Sequence, residues 1–167
     1  GLKKGILASK GKIVIYAHAD LQVNPNDITR SIKLFEKIKH EKKILIKGHR
    51  IELIKNNWSF IDMCFSFGYT ILCSILFRKK IFDIHAMPVL FSKNLLKNLN
   101  YIPNEFSIDL SFYLHSIKNQ FKIIRFPVNF DKNKRKFGEG SSDNFMKCVK
   151  NSFVQFYQAL IILSKSK

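Results

Sequence analysis

Short apolar runs rich in β-branched residues recur along the chain with helix-length segments between them: KIVIYA at residues 12–17, KILIK at 43–47 and KIIRFPV at 122–128. Runs of this length and composition read as buried strands, and a further short strand is expected over 89–91. Residues 2–9 read as the end of a helix. Asp27 reads as the N-cap of a helix reaching about His40, with Ile28, Ile32, Phe35 and Ile38 on one face. Further helices are expected over 93–99 and after the turn at Pro103, the second with Asp109 near its N-terminus. This alternation points to an α/β sheet covered by helices. Pro127 suits the edge or terminus of the last strand.

The most apolar segment, WSFIDMCFSFGYTILCSILF at 58–77, is about as long as a membrane span. Asp62, Gly68 and four small hydroxyl residues lower its hydrophobicity, so a buried core helix or an interfacial helix is expected. Residues 144–164 form a second apolar pattern, with Phe145, Val149, Phe153, Phe156, Leu160 and Leu163 at helical spacing and Lys147, Lys150, Lys165 and Lys167 around them. An amphipathic basic helix of this kind suits docking on its own domain or on an anionic membrane face. Between the last strand and this helix, 129–143 is a basic Gly/Ser loop without periodicity, expected to be mobile. The organisation expected is one domain over 1–143 followed by the C-terminal helix at 144–167.

A content of 46% hydrophobic residues, with 16 Phe but only 7 Gly and 4 Pro, excludes a disordered chain. Three widely spaced cysteines signal neither a disulfide framework nor a zinc cluster, which fits a reducing compartment. Cys64 and Cys73 read as core thiols. The 29 Lys and Arg against 12 Asp and Glu give a net charge of +17 and attraction to an anion: nucleic acid, acidic lipid or a phosphorylated substrate. A general enrichment in Lys, Asn, Ile and Phe accounts for part of that excess. No charged segment followed by an apolar stretch opens the chain, so no signal peptide is expected.

The sharpest local feature is HADLQ, residues 18–22, at the end of the first strand, where open α/β sheets bind ligands. His18, Asp20 and Gln22 could converge on Mg²⁺ or Mn²⁺ through oxygen and nitrogen donors. A strand-end Asp is also a common turn or capping residue. His40, His49, His85 and His115 form no i, i+4 pair, which argues against zinc. Gly48 reads as a tight turn that leaves Arg50 free to point at a ligand.

HADLQ is followed in order by KGHR at 47–50, FDIHAMPVLFSKNLL at 82–96, FSIDL at 106–110, KIIRFPVNF at 122–130 and RKFGEGSS at 135–142. This order resembles the family 2 glycosyltransferases of the GT-A fold, most closely the branch that transfers sugars to polyprenyl phosphate. The resemblance implies a GT-A, Rossmann-like mixed sheet flanked by helices. It implies that Asp20, with Gln22 and His18, holds Mg²⁺ or Mn²⁺ against a diphosphate. Arg50 and Arg135, assisted by Lys134 and Ser141, would then surround the phosphates, since the guanidinium fork matches phosphate oxygens. Asp109 would act as general base toward a hydroxyl acceptor, or orient groups if the acceptor is a lipid phosphate. Asp83 would lie beside the sugar or acceptor, with a capping or turn-anchoring role as the alternative.

The chain departs from the family at His18, where many members have the first Asp of D-x-D, at Val89, where Lys is usual, and in the additional Gly of GEGSS. The nucleotide-base half of the fold, about 70 to 90 residues, is expected to precede the first motif. The activity implied is inverting transfer of a sugar from a nucleotide diphosphate sugar to a polyprenyl phosphate or envelope glycan, in the cytoplasm at the inner membrane face. The competing readings are an inactive fragment or membrane-associated partner of a full-length transferase, and a basic nucleic-acid-binding module.

Overall fold

A computed structural model describes residues 1–97, 99, 101–103, 107–134 and 145–166. Four strands, β1 (Ile13–Tyr16), β2 (Ile44–Ile51), β3 (Val89–Ser92) and β4 (Lys122–Asn129), form one sheet in the order β1-β3-β2-β4. β3 is antiparallel to both β1 and β2, whereas β2 and β4 are parallel. Helices α1 (Leu2–Ala8), α2 (Pro25–Lys37), α3 (Phe60–Phe77), α4 (Ser107–Lys118) and α5 (Phe145–Ser166) surround it. The chain is therefore an α/β protein with a mixed sheet, as its strand and helix rhythm implies. β4 lies at an edge of the sheet, where Pro127 costs no ladder bond.

Strand alternation divides the core into two layers. Ile44, Ile46, Leu90, Phe126 and Val128 face α2, against Leu34, Phe35 and Ile38. Val14, Tyr16, Leu45, Val89 and Phe91 face the other way and join Phe112 of α4 and Ala159 and Ile162 of α5. Ile44, Leu45 and Ile46 are completely buried, each contributing about 1.5–3 kcal/mol relative to exposure. Consecutive residues of β2 thus bury on opposite faces, which explains the continuous apolar run in the sequence.

Several local readings are corrected. The N-cap of α2 is Asn24, whose side chain accepts from the Asn26 amide at 2.9 Å, with Pro25 opening the first turn. Asp27 lies inside that turn, buried and paired with Arg30 at 2.7 Å. Ile32 is exposed, and Ser31 takes its place on the inner face. The expected helix over 93–99 is a single 3₁₀ turn at Lys93–Leu96. Cys64 is exposed, while Cys73 is buried and its thiol pushed up to about 11 by burial, which leaves it inert.

Gly48 forms no turn, because β2 continues through it to Ile51. Its role is close packing: the Gly48 amide donates to the Pro88 carbonyl at 3.0 Å, and a Cβ there would meet the Met87 carbonyl oxygen at 2.2 Å. A backbone atom cannot move aside as a side chain tip can. Gly48→Ala is therefore expected to destabilise the protein by about 3 kcal/mol, read as a fall in the urea midpoint with an unchanged slope.

Candidate functional site

β1, β2 and β4 share one direction, so their carboxyl ends and the segment leading into β3 meet at one end of the sheet. His18, Asp20 and Gln22 follow β1, Lys47 lies at the middle of β2, and His49 and Arg50 lie toward its carboxyl end. Asp83 and His85 precede β3, and Asp109 lies in the first turn of α4. The structure thus gathers four of the motifs at the sheet end where ligands bind in folds of this class.

The register places Tyr16, Val89, Lys47 and Arg125 in one row across all four strands. Residues opposite each other project to the same face, here toward α4. Tyr16 donates its hydroxyl to Asp109 Oδ1 at 2.5 Å, and Lys47 Nζ lies 3.8 Å from the same oxygen. His85 Nδ1 approaches Asp109 Oδ2 at 3.6 Å, with the His85 ring stacked on Tyr69 at 5.5 Å. Lys47 is fully buried, and its amine makes no hydrogen bond among the described residues. Burial, reinforced by Arg125 and Arg50, lowers its proton affinity against the pull of Asp109 and Asp83. Burial alone would raise the Asp109 carboxyl, but the Lys47 charge, the nearby His85 ring and the hydrogen bond from Tyr16 outweigh it and hold the group below the usual carboxylate range. The Tyr16 phenol is pushed up by burial and by Asp109.

A second cluster lies beside the first. Asp83 accepts from the Arg50 amide at 2.8 Å, from Arg50 Nε at 2.7 Å and from Arg50 Nη2. His49 Nδ1 stands 3.6 Å from the same carboxylate. Arg50 Nη2 also donates to Ser66 of α3 at 2.8 Å, and the guanidinium lies 4.7 Å over the Trp58 ring. Arg50 is therefore anchored on a carboxylate, a correction to its reading as free, and Asp83 is the group that anchors it. The pair holds the Asp83 carboxyl low in spite of its burial. Arg125 closes the cluster, reaching the carbonyls of Phe82, Gly48 and Asp83 while lying over Phe82 and Tyr113.

The HADLQ loop is tied to the chain leaving β4. The Asp131 amide donates to the Gln22 carbonyl at 3.2 Å, Val23 bridges Phe130, and the His18 ring meets Phe130 edge-on at 6.0 Å. Trp58 Nε1 donates to the Phe130 carbonyl at 2.9 Å, so Phe130 links this loop to Trp58 and hence to Arg50. Asp20 accepts from the Gln22 amide at 3.1 Å, a local turn that shapes the loop. Leu21 (φ 64°) and Asp83 (φ 38°) both adopt left-handed backbone, at a cost of about 1–3 kcal/mol each. Among the described residues no group of three or more His, Cys, Asp or Glu is assembled for a metal.

Lys134 is exposed in the 3₁₀ turn Lys132–Lys134, and Arg135 and Ser141 lie outside the described residues. Residues the sequence reading passed over are Tyr16, Lys47, His85, Arg125 and Ser66. Lys47 and Arg125 did carry a signal, since each is a charge that directly follows an apolar run, Ile44–Ile46 and Ile123–Ile124.

Two outcomes are expected from the buried charges. Asp109→Asn leaves the Lys47 amine without its counter-charge and should cost about 3–5 kcal/mol, much of it restored by adding Lys47→Met. Asp83 and Asp109 both bind protons less readily folded than unfolded. Their stabilisation is complete above the unfolded carboxylate value of about 3.9 and is lost as pH falls through the lower folded values. Urea unfolding across that acid range should show a shallower loss of stability in Asp83→Asn than in the parent.

Compared with known proteins, the chain matches no family model, and no curated protein matches it. What can be said of its chemistry rests on the arrangement of these residues.

Proposed function

We propose that this chain is an inverting glycosyltransferase domain that takes a sugar from a nucleotide diphosphate sugar. The observation that carries this reading is the convergence of HADLQ, KGHR, FDIHAMP and FSIDL at the carboxyl end of the sheet. The finer GT-A assignment belongs to the same proposal and rests on the order of those motifs. In the reaction an acceptor oxygen forms a bond to the anomeric carbon as the bond to the nucleoside diphosphate breaks, and the leaving diphosphate departs with the electron pair.

Asp20, with Gln22 and His18, is assigned to the leaving-group side. Hard cations that keep several waters need only one or two carboxylates when substrate phosphates supply the rest. A single Asp carboxylate after a strand would meet Mg²⁺ or Mn²⁺ only together with a bound diphosphate. When bound, such a cation supplies charge neutralisation for the leaving group. Arg50 is assigned to the phosphate side only through its position toward the carboxyl end of β2, because its charge is balanced by Asp83, which acts on it as a positioning residue. Lys47 puts a cation next to Val89, the position where the resembled family usually has Lys.

The buried carboxylate of Asp109 is already committed, accepting the Tyr16 hydroxyl and facing Lys47 and His85. It is suited to orienting Tyr16, Lys47 and His85. This favours an acceptor that arrives already anionic, such as a polyprenyl phosphate, over a sugar hydroxyl. One observation favours a second reading, a non-catalytic partner of a full-length transferase: both acids are already paired inside the protein, Asp109 with Lys47 and Asp83 with Arg50.

Calorimetry of UDP and GDP binding with and without Mn²⁺ separates the two. Catalytic ancestry still in use predicts metal-dependent binding by the parent that Asp20→Ala abolishes. A folded parent that binds neither nucleotide rejects the transferase reading for this chain and leaves the partner reading.

A further inference from the structure

α3 is inside out. Asp62, Ser66, Thr70 and Ser74 recur at every fourth position and turn toward the protein. Asp62 is buried in the capping box with Ser59, Ser66 accepts from Arg50 at 2.8 Å, and Ser74 bonds the Thr70 carbonyl at 2.8 Å and the Ile81 amide at 3.3 Å. The apolar stripe Phe67, Ile71 and Ile75, with Phe60 about two turns before Phe67, points to the outside, and Phe60 and Ile75 are 76% and 72% exposed. α5, packed against α3, repeats the arrangement. Ser152, Gln155 and Gln158 lie on its less exposed side, with Gln158 bonded to Ser107, while Phe145, Phe153 and Tyr157 are exposed. The Phe65 and Phe145 rings meet at 6.1 Å and join the two helices. A water-facing helix has the opposite polarity, and an exposed apolar surface of this extent marks an interaction site.

We propose that α3 and α5 together form a docking face for an anionic lipid bilayer, with both helices lying along the membrane interface. Charge identifies the occupant. No acidic residue occurs over 63–82 or 145–166, whereas Arg78, Lys79 and Lys80 are exposed just beyond α3 and Lys150 and Lys165 on α5. A second copy would set these cations against cations; acidic headgroups neutralise them, and the apolar rows enter the acyl boundary. α3 has the length and apolarity of a membrane span, but its polar stripe is bonded to the protein body, so it lies on the surface and does not cross. The inference is independent of the transferase reading.

Flotation of the intact chain with vesicles tests it, using phosphatidylcholine alone and with about a quarter phosphatidylglycerol. The parent should float with the anionic vesicles. Ile71→Glu combined with Phe153→Glu, both at exposed positions, should weaken that binding by about tenfold or more while the circular dichroism spectrum stays unchanged. Lys79→Glu with Lys80→Glu should remove the preference for anionic over neutral vesicles. A parent that stays with the soluble fraction overturns the proposal, as does an Ile71→Glu/Phe153→Glu variant that floats like the parent. Sedimentation showing a parent dimer that this variant converts to monomer would instead assign the face to a second copy.

Discussion

Burial of Lys47 against Asp109 is the constraint on which the site end of this sheet depends. A charged or ionisable amine held completely out of water is tolerated only where compensating groups surround it. Tyr16 from β1, Asp109 from α4 and His85 from the segment before β3 are held around it, and Arg125 occupies the next place in the row. Three separate stretches of chain must therefore dock correctly before the amine can be buried. Such a cluster fixes the relative positions of β1, β2 and α4 more sharply than apolar packing, which tolerates exchange of similar volumes.

The Arg50–Asp83 pair extends this control outward. It holds Asp83 in left-handed backbone, and through Ser66 and Trp58 it connects β2 to α3 and to the HADLQ loop. Gly48 makes the connection possible by letting the Met87–Pro88 backbone approach β2. The backbone strain at Leu21 and Asp83 is placed where ligand-binding loops commonly store it, and the packing of Phe130 and Arg50 sustains it. α3 thus takes part in two surfaces at once. Its polar stripe completes the charged cluster, and its apolar stripe faces away from the protein.

Much of the architecture was legible in the sequence because short apolar runs and 3.6-residue spacing are local consequences of burial. The strands appear as apolar runs bounded by polar residues, and α2 and α5 as apolar residues at helical spacing. The errors occurred where local and tertiary demands give the same signal. Gly48 reads as a turn because glycine is common in turns, yet its function here is to remove a Cβ from the path of another backbone. Arg50 after a strand reads as a ligand-seeking cation, and only the return of the chain at Asp83 shows that its partner is internal. Ile32 satisfies helical spacing, but the angle at which α2 meets the sheet places Ser31 inward.

By itself the sequence determined the alternation of strand and helix, the placement of HADLQ at a strand end, and the excess of positive charge. These depend on spacing along the chain and on composition. Only the tertiary structure decided that Lys47, Tyr16 and Asp109 share one buried cluster, that Asp83 neutralises Arg50, and that α3 turns its apolar side outward. Each of those depends on strand order, register and helix rotation, which bring together residues dozens of positions apart. An isolated helical pattern shows that two faces differ in polarity; which face meets the protein is fixed by the groups already waiting there, here the Arg50 guanidinium that binds Ser66.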